Sequence, residues 1–322
     1  MEALRTLRAL ILAGSVACLV LAAPTGAQDL PPNRRPPNQG PKVPDRGATL
    51  DTSKLVYVRV ESDHYFLRSM NADGSGDAEF WGERIECSSF ALSPDGRTLY
   101  YSTRDGTYSK TQGSAARKLF DGQAKDIDVS PDASRLVYSR TVVGSGTDIY
   151  SANADGTGER RLTDAPRDDL TPCWSADGRT ILYSEGANNW LMTMAADGSG
   201  KRALSEDVGP TRVRFSQARY SPDGTRIVAK GIQGGSVQIH VMNADGTSPR
   251  AITSGAGLYA SPRWSPDARR VVAAYQGPGV PAEPWHLIVI PVDGGAVVRL
   301  PGTAPFQETQ PRWLASSVTV RR

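Results

Sequence analysis

The stretch NADGTGERRLT (153–163) recurs in near-copy as NADGSGDAEFW (71–81), AADGSGKRALS (195–205) and NADGTSPRAIT (243–253). Its internal spacing is strict. An Asp-Gly pair is followed seven residues later by an apolar residue: Asp73 by Phe80, Asp155 by Leu162, Asp197 by Leu204, Asp245 by Ile252 and Asp293 by Leu300. A degenerate sixth copy carries Gln112-Gly113 with Leu119 at the same distance. Asp-Gly favours a tight turn because both residues tolerate positive φ. Before the turns stand YFLRSM, DIYSA, WLMTM, VQIHVM and WHLIVI, runs with the β-branched and aromatic content of strands.

A second phrase alternates with the first: SPDGRTLYYS (93–102), SPDASRLVYS (130–139), SADGRTILYS (175–184), SPDGTRIVAK (221–230) and SPDARRVVAA (265–274). A strand is expected on each side of it, the earlier one ending at Leu92, Val129, Trp174, Tyr220 and Trp264. Each repeat thus holds about four short strands and runs 37 to 46 residues between successive Ser-Pro-Asp serines. A four-stranded sheet cannot cover both of its faces alone, and stacking such sheets in a ring covers all of them. The expected fold is all-β, a six-bladed β-propeller over 54–315, with 316–322 as a tail. Closure is also readable. TQPRWL (309–314) matches the strands ending at Trp174 and Trp264, while KLVYVRV (54–60) is a second strand lacking a first. The C-terminal strand should therefore complete the blade that the N-terminal one begins.

Composition is consistent with this. Among 322 residues there are 32 Gly and 23 Pro, 39% are apolar, and no stretch after residue 30 keeps a 3.6-residue period. The net charge of +3 gives no electrostatic reason to expect nucleic acid or an anionic membrane as partner. The start is different in kind. Arg5 and Arg8 precede the apolar run ALILAGSVACLVLAA (9–23), and small residues follow. This is the pattern of a secretory signal over 1–27, cleaved after Ala27. A retained membrane anchor and a lipid anchor at Cys18 are the alternatives. Cleavage leaves 35 basic and 33 acidic residues and two cysteines, Cys87 and Cys173, in an oxidising compartment. Residues 28–53 are Pro-rich and lack aromatics, and read as an extended tether.

The alternation of SADGRTILYS (175–184) or its variants with DIYSANADGTGERRLT (148–163) resembles the repeat of TolB-type propellers, relatives of the WD-repeat propellers. The resemblance covers about residues 54–314. It implies a six-bladed propeller in the cell envelope, periplasmic or secreted, that binds proteins. TolB also carries an α/β domain before its propeller, where this chain has the Pro-rich segment. The same repeat occurs in the propeller halves of prolyl-oligopeptidase-type peptidases, whose catalytic domain has no counterpart in this sequence.

Catalytic signals are weak. G-x-S-x-G is absent. His64, His240 and His286 stand nine, five and seven residues before their Asp-Gly turns, in equivalent strands, and read as ordinary strand histidines. The NADGSGD loop lacks the length and distal Glu of a helix-loop-helix calcium site. No metal, no cofactor and no catalytic residue is expected. Cys87 and Cys173 fall on blades two apart, too far to bridge, and are expected to be free thiols.

One set of positions suggests binding. Two residues before each Ser-Pro-Asp serine, on the innermost strands, the six copies read Ala91, Asp128, Cys173, Arg219, Arg263 and Arg312. Three successive blades then carry Arg at one level of the channel. Grouped guanidinium ions repel unless they are paired or hold an anion. Either a carboxylate receptor or pairing with carboxylates of nearby strands satisfies them. The function expected is a non-catalytic, monomeric scaffold that docks a protein or peptide in the envelope. The alternatives are a propeller enzyme acting on polysaccharide, as lyase or hydrolase, and the propeller partner of a separate catalytic domain.

Overall fold

The structure, a computed structural model, describes residues 54–142, 144–164, 166–186, 190–204, 213–279, 283–301 and 307–314. The expected signal with its cleavage point after Ala27, Cys18, the tether 28–53 and the tail 316–322 lie outside the described residues.

The described chain forms six four-stranded antiparallel sheets. The innermost strands of blades 1 to 6 are Gln307–Trp313, Ser89–Leu92, Lys125–Val129, Asp169–Trp174, Arg214–Tyr220 and Leu258–Trp264. The second strands are Lys54–Glu61, Thr98–Ser102, Arg135–Val142, Thr180–Glu185, Arg226–Gln233 and Arg270–Gln276. The second strands explain the ring. Side chains alternate across a strand, so a strand covered on both faces reads as a continuous apolar run. Leu55 faces blade 6 and Val56 faces blade 2. Leu136 and Val137, Ile181 and Leu182, Ile227 and Val228, and Val271 and Val272 split in the same way between two neighbouring blades. All of these residues are fully buried. Each such side chain contributes about 1.5–3 kcal/mol by burial. Six apolar clusters fill six interfaces, one between each pair of adjacent blades.

The ring closes as the sequence indicates. Gln307–Trp313 pairs with Lys54–Glu61, with Trp313 opposite Leu55 and Arg312 opposite Val56. The amide of Leu314 adds a hydrogen bond to the Lys54 carbonyl at 2.7 Å. Across the seam Leu55, Tyr57 and Met70 of blade 1 pack with Val272, Leu287 and Leu300 of blade 6.

Both repeated phrases are turns on one face of the ring. In the Asp-Gly turn only the glycine takes positive φ: Gly156 has φ +85°, while Asp155 stays in the ordinary region. The aspartate acts as an acceptor instead, its Oδ1 taking hydrogen bonds from the Thr157 amide at 2.9 Å and from the Thr157 hydroxyl at 2.6 Å. In the Ser-Pro-Asp turn, Ser221 Oγ donates to Asp223, and Asp223 accepts the Thr225 amide at 3.0 Å. Ser221 Oγ also accepts the Arg226 amide at 3.0 Å.

The innermost strands carry a feature that the sequence does not announce. In blades 1, 3, 4, 5 and 6 the pairing with the second strand is interrupted by a β-bulge. Two residues before the channel position a non-glycine residue adopts positive φ: Gln310, Asp126, Thr171, Gln217 and Ser261, with φ between 51° and 55°. A bulge bends its strand and re-aims the side chains that follow. Blade 2 has no bulge and presents only Ala91 at that level. Among the described residues the one helical stretch is the short 3-10 turn Phe80–Gly82, and no helix is long and apolar enough to cross a membrane.

Candidate functional site

The four predicted binding residues, Asp128, Arg219, Arg263 and Arg312, come together at the channel mouth on the face bearing the Ser-Pro-Asp turns. They line a cavity of about 320 Å³ walled by Trp174, Tyr220 and the turn residues Pro131, Ala176 and Pro222. A second cavity of about 210 Å³ adjoins it, walled by Leu92, Pro94, Gly96 and Trp313. The two share Arg263, Trp264 and Arg312. Cys173 also lines the larger cavity, while Ala91 is buried against blade 3.

The mouth is rigid because neighbouring blades are tied there. The Trp174 amide donates to Asp128 Oδ2 at 3.0 Å, linking blades 3 and 4. Arg219 Nη1 donates to the Thr171 carbonyl at 2.8 Å, linking blades 4 and 5. The Ser261 amide donates to Gln217 Oε1 at 2.7 Å and Trp264 Nε1 to the Arg219 carbonyl at 3.1 Å, linking blades 5 and 6. Three guanidinium groups from second strands cover the indoles of the next blade: Arg135 over Trp174 at 5.4 Å, Arg226 over Trp264 at 4.9 Å and Arg270 over Trp313 at 5.1 Å. Such contacts are worth about 0.5–2 kcal/mol each.

Charge at the mouth is only partly balanced. Arg312 Nη1 reaches Asp128 Oδ1 at 3.5 Å, and its Nη2 donates to the Ile127 carbonyl at 2.7 Å. The sequence placed Arg312 and Asp128 at one level. It did not show that Arg312 passes the Phe90 ring of blade 2 to reach blade 3. Arg263 has no carboxylate within ion-pair distance among the described residues. Its Nη1 donates to the Pro262 carbonyl at 2.9 Å. Burial, with the neighbouring Arg219 and Arg312, holds the Arg263 guanidinium well below its ordinary value, against the pull of Asp128 and Asp126. Arg312 is lowered by burial, which Asp128 partly offsets. An added anion would relieve this repulsion. Asp126, a bulge residue, was not singled out from the sequence.

The histidines lie apart from the cup. His64 is exposed and pairs with Glu86 at 3.2 Å, His240 packs edge-on against Phe215 at 5.3 Å, and His286 contacts Arg299. Among the described residues no three His, Cys, Asp or Glu side chains converge as a metal site would require. Cys87 and Cys173 are buried and unbridged, and the Cys173 thiol donates to the Ala218 carbonyl at 3.4 Å. On the opposite face, Asp169 stands across the strand pair from Glu185 and is almost fully buried. Burial raises its carboxyl to about 6, with Glu185 and Asp148 adding to the effect. Arg161 neutralises Asp148 at 2.6 Å.

No protein-family model matches the chain. By sequence it is 30% identical over 165 residues to the Tol-Pal system protein TolB of Anaeromyxobacter dehalogenans (strain 2CP-C). That match covers 48% of this chain and 36% of the relative's own length. By structure it superposes on TolB from Acinetobacter baumannii with a TM-score of 0.69 at 16% identity, covering 82% of this chain and 67% of that one. It also superposes on an oligogalacturonate lyase in complex with manganese, with a TM-score of 0.56 at 15% identity, covering 77% of this chain and 73% of the other. At these identities the structural matches speak for the fold alone.

Proposed function

From the premise that this chain is a TolB-like six-bladed β-propeller, we propose that it is an exported, non-catalytic scaffold of the cell envelope. It docks a protein or peptide segment on the face bearing the Ser-Pro-Asp turns, with an acidic group drawn by the basic charge of the cup at whose mouth Arg219, Arg263 and Arg312 stand. The observation that carries this reading is the group of three guanidinium ions lining one cavity, opposed there by Asp128 at 3.5 Å from Arg312. Buried like charges are costly unless a counter-ion is supplied, and a docked acidic group supplies it. The rigid ring suits the role, since a site held by bonded neighbours loses little freedom on binding. Similarity to a protein of the Tol-Pal system supports the envelope setting, as does the signal expected at residues 1–27. The test is affinity capture from envelope fractions with the full chain as bait. A reproducible partner that the Arg219→Gln/Arg263→Gln/Arg312→Gln triple variant fails to hold supports the reading. Equal capture by both baits, or none by either, refutes it.

A second reading is an enzyme acting on acidic polysaccharide at the same cup, whose guanidinium groups would meet the sugar carboxylates. Incubation with oligogalacturonate, with and without added divalent cation, separates the two. Release of unsaturated product would establish the lyase.

A further inference from the structure

This inference rests on the reading that the turn-bearing face docks a peptide segment, and it divides labour within the cup. Arg312 is engaged: both of its Nη atoms bond to blade 3, at Asp128 and at the Ile127 carbonyl, and its guanidinium lies 5.5 Å from the Phe90 ring centre. Arg219 and Arg263 are different. Each uses Nη1 alone. Arg219 bonds the Thr171 and Ala218 carbonyls, both at 2.8 Å, and Arg263 bonds the Pro262 carbonyl at 2.9 Å. Both Nε atoms are buried without a hydrogen-bond partner, and among the described residues every hydrogen bond of the two side chains runs through Nη1, leaving Nη2 open. Nε–H and the adjacent Nη2–H lie side by side in the guanidinium plane and form the edge that matches a carboxylate. Two such edges present four N–H bonds, and an ionised carboxylate offers about four lone-pair sites.

The cavities say where that carboxylate belongs. The larger runs from Arg263 toward Tyr220 and Trp174, and the smaller runs from Arg263 toward Leu92 and Trp313. A chain end would fill one of them. A chain passing across the mouth fills both, with apolar side chains on either side of an acidic one. We infer that Arg219 and Arg263 form a two-edged receptor for one Asp or Glu within an extended peptide, flanked on both sides by apolar residues. Arg312 and Asp128 are the strut that keeps the cup open and do not hold the ligand.

The test uses the full chain and acetylated, amidated peptides with a central Asp between Leu and Trp pairs, titrated by calorimetry. The Asp peptide should bind, and its Asn analogue should bind at least about tenfold more weakly, as expected for loss of charge-assisted bonds. Arg219→Gln and Arg263→Gln should each weaken the Asp peptide by a similar factor. Arg219→Lys, which keeps the charge and loses the planar edge, should weaken it as well. Arg312→Gln should lower the melting temperature while leaving affinity within about threefold. Several results would overturn the inference: no binding of the Asp peptide, equal binding of the Asn peptide, a need for a free C-terminal carboxylate, or a loss in Arg312→Gln as large as in Arg219→Gln. The Asp-to-Asn comparison changes only the peptide, so it decides even where a variant folds poorly. Envelope partners captured equally by wild type and by Arg219→Gln/Arg263→Gln would sink the inference and leave the docking reading standing. No capture together with no peptide binding would remove both.

Discussion

Leu55→Ala probes the seam of the ring. Leu55 is fully buried, opposite Trp313, in the cluster shared by blades 1 and 6. Leu287 of blade 6 belongs to the same cluster and is also fully buried. Truncating either to Ala removes a buried side chain and leaves a cavity, at about 2–5 kcal/mol each. If the seam is packed, the second truncation enlarges a cavity already opened, and the double variant loses less than the sum by about 0.5–3 kcal/mol. Leu182 offers the control: equally buried, it lies between blades 4 and 5, across the ring. Leu55→Ala with Leu182→Ala should add to within about 0.5 kcal/mol. Urea unfolding of the three single and two double variants and the wild type measures both couplings. If Leu55 and Leu287 add as independently as the remote pair, the two ends of the propeller are not packed together, and the closed ring is wrong.

Three further outcomes are expected. Asp169 ordinarily titrates at 3.8 and in the folded chain sits at about 6, so the folded state holds its proton more tightly. The stability it contributes is complete below pH 3.8 and falls as pH rises to about 6. Asp169→Asn should flatten that slope in urea midpoints measured across the window and should raise stability at neutral pH. Gly156→Ala should cost at least about 2 kcal/mol, because its φ is +85° and a new Cβ would lie 2.8 Å from Leu119. Gly113→Ala, with φ +74° and nothing within 4 Å, should cost only about 1 kcal/mol. Cys87 is wholly buried with its thiol pushed up to about 12, so Ellman's reagent should find no reactive thiol at 87 or 173 until denaturant is added. Rapid native labelling of either would contradict the burial.

The ring was legible because its determinants are local and repeated. Turn residues at fixed offsets mark the hairpins, and adjacent apolar pairs such as Leu136-Val137 signal strands covered on both faces. The seam was legible because TQPRWL repeats a strand that the N-terminal blade lacks. The level of the channel residues followed from register, which brought Asp128, Arg219, Arg263 and Arg312 together. What remained hidden is side-chain and backbone detail set by tertiary contacts. Nothing in the residue type of Gln217 or Gln310 announces positive φ, which belongs to the bulge in the inner strand. Arg312 reaches past Phe90 of blade 2 to the Ile127 carbonyl of blade 3, a contact no local pattern encodes. The role of Asp155 as acceptor is shared with Thr157, two positions on, whose amide and hydroxyl both donate to it.

Pairing Lys54–Glu61 with Gln307–Trp313 has a consequence for the order of assembly. The two strands stand at opposite ends of the described chain, so their union is the most distant in sequence that the molecule must make and the slowest to find. Until the last strand emerges, the first remains a bare edge, its open amides ready to recruit a stranger. A nascent chain held short of Trp313 would therefore need shielding.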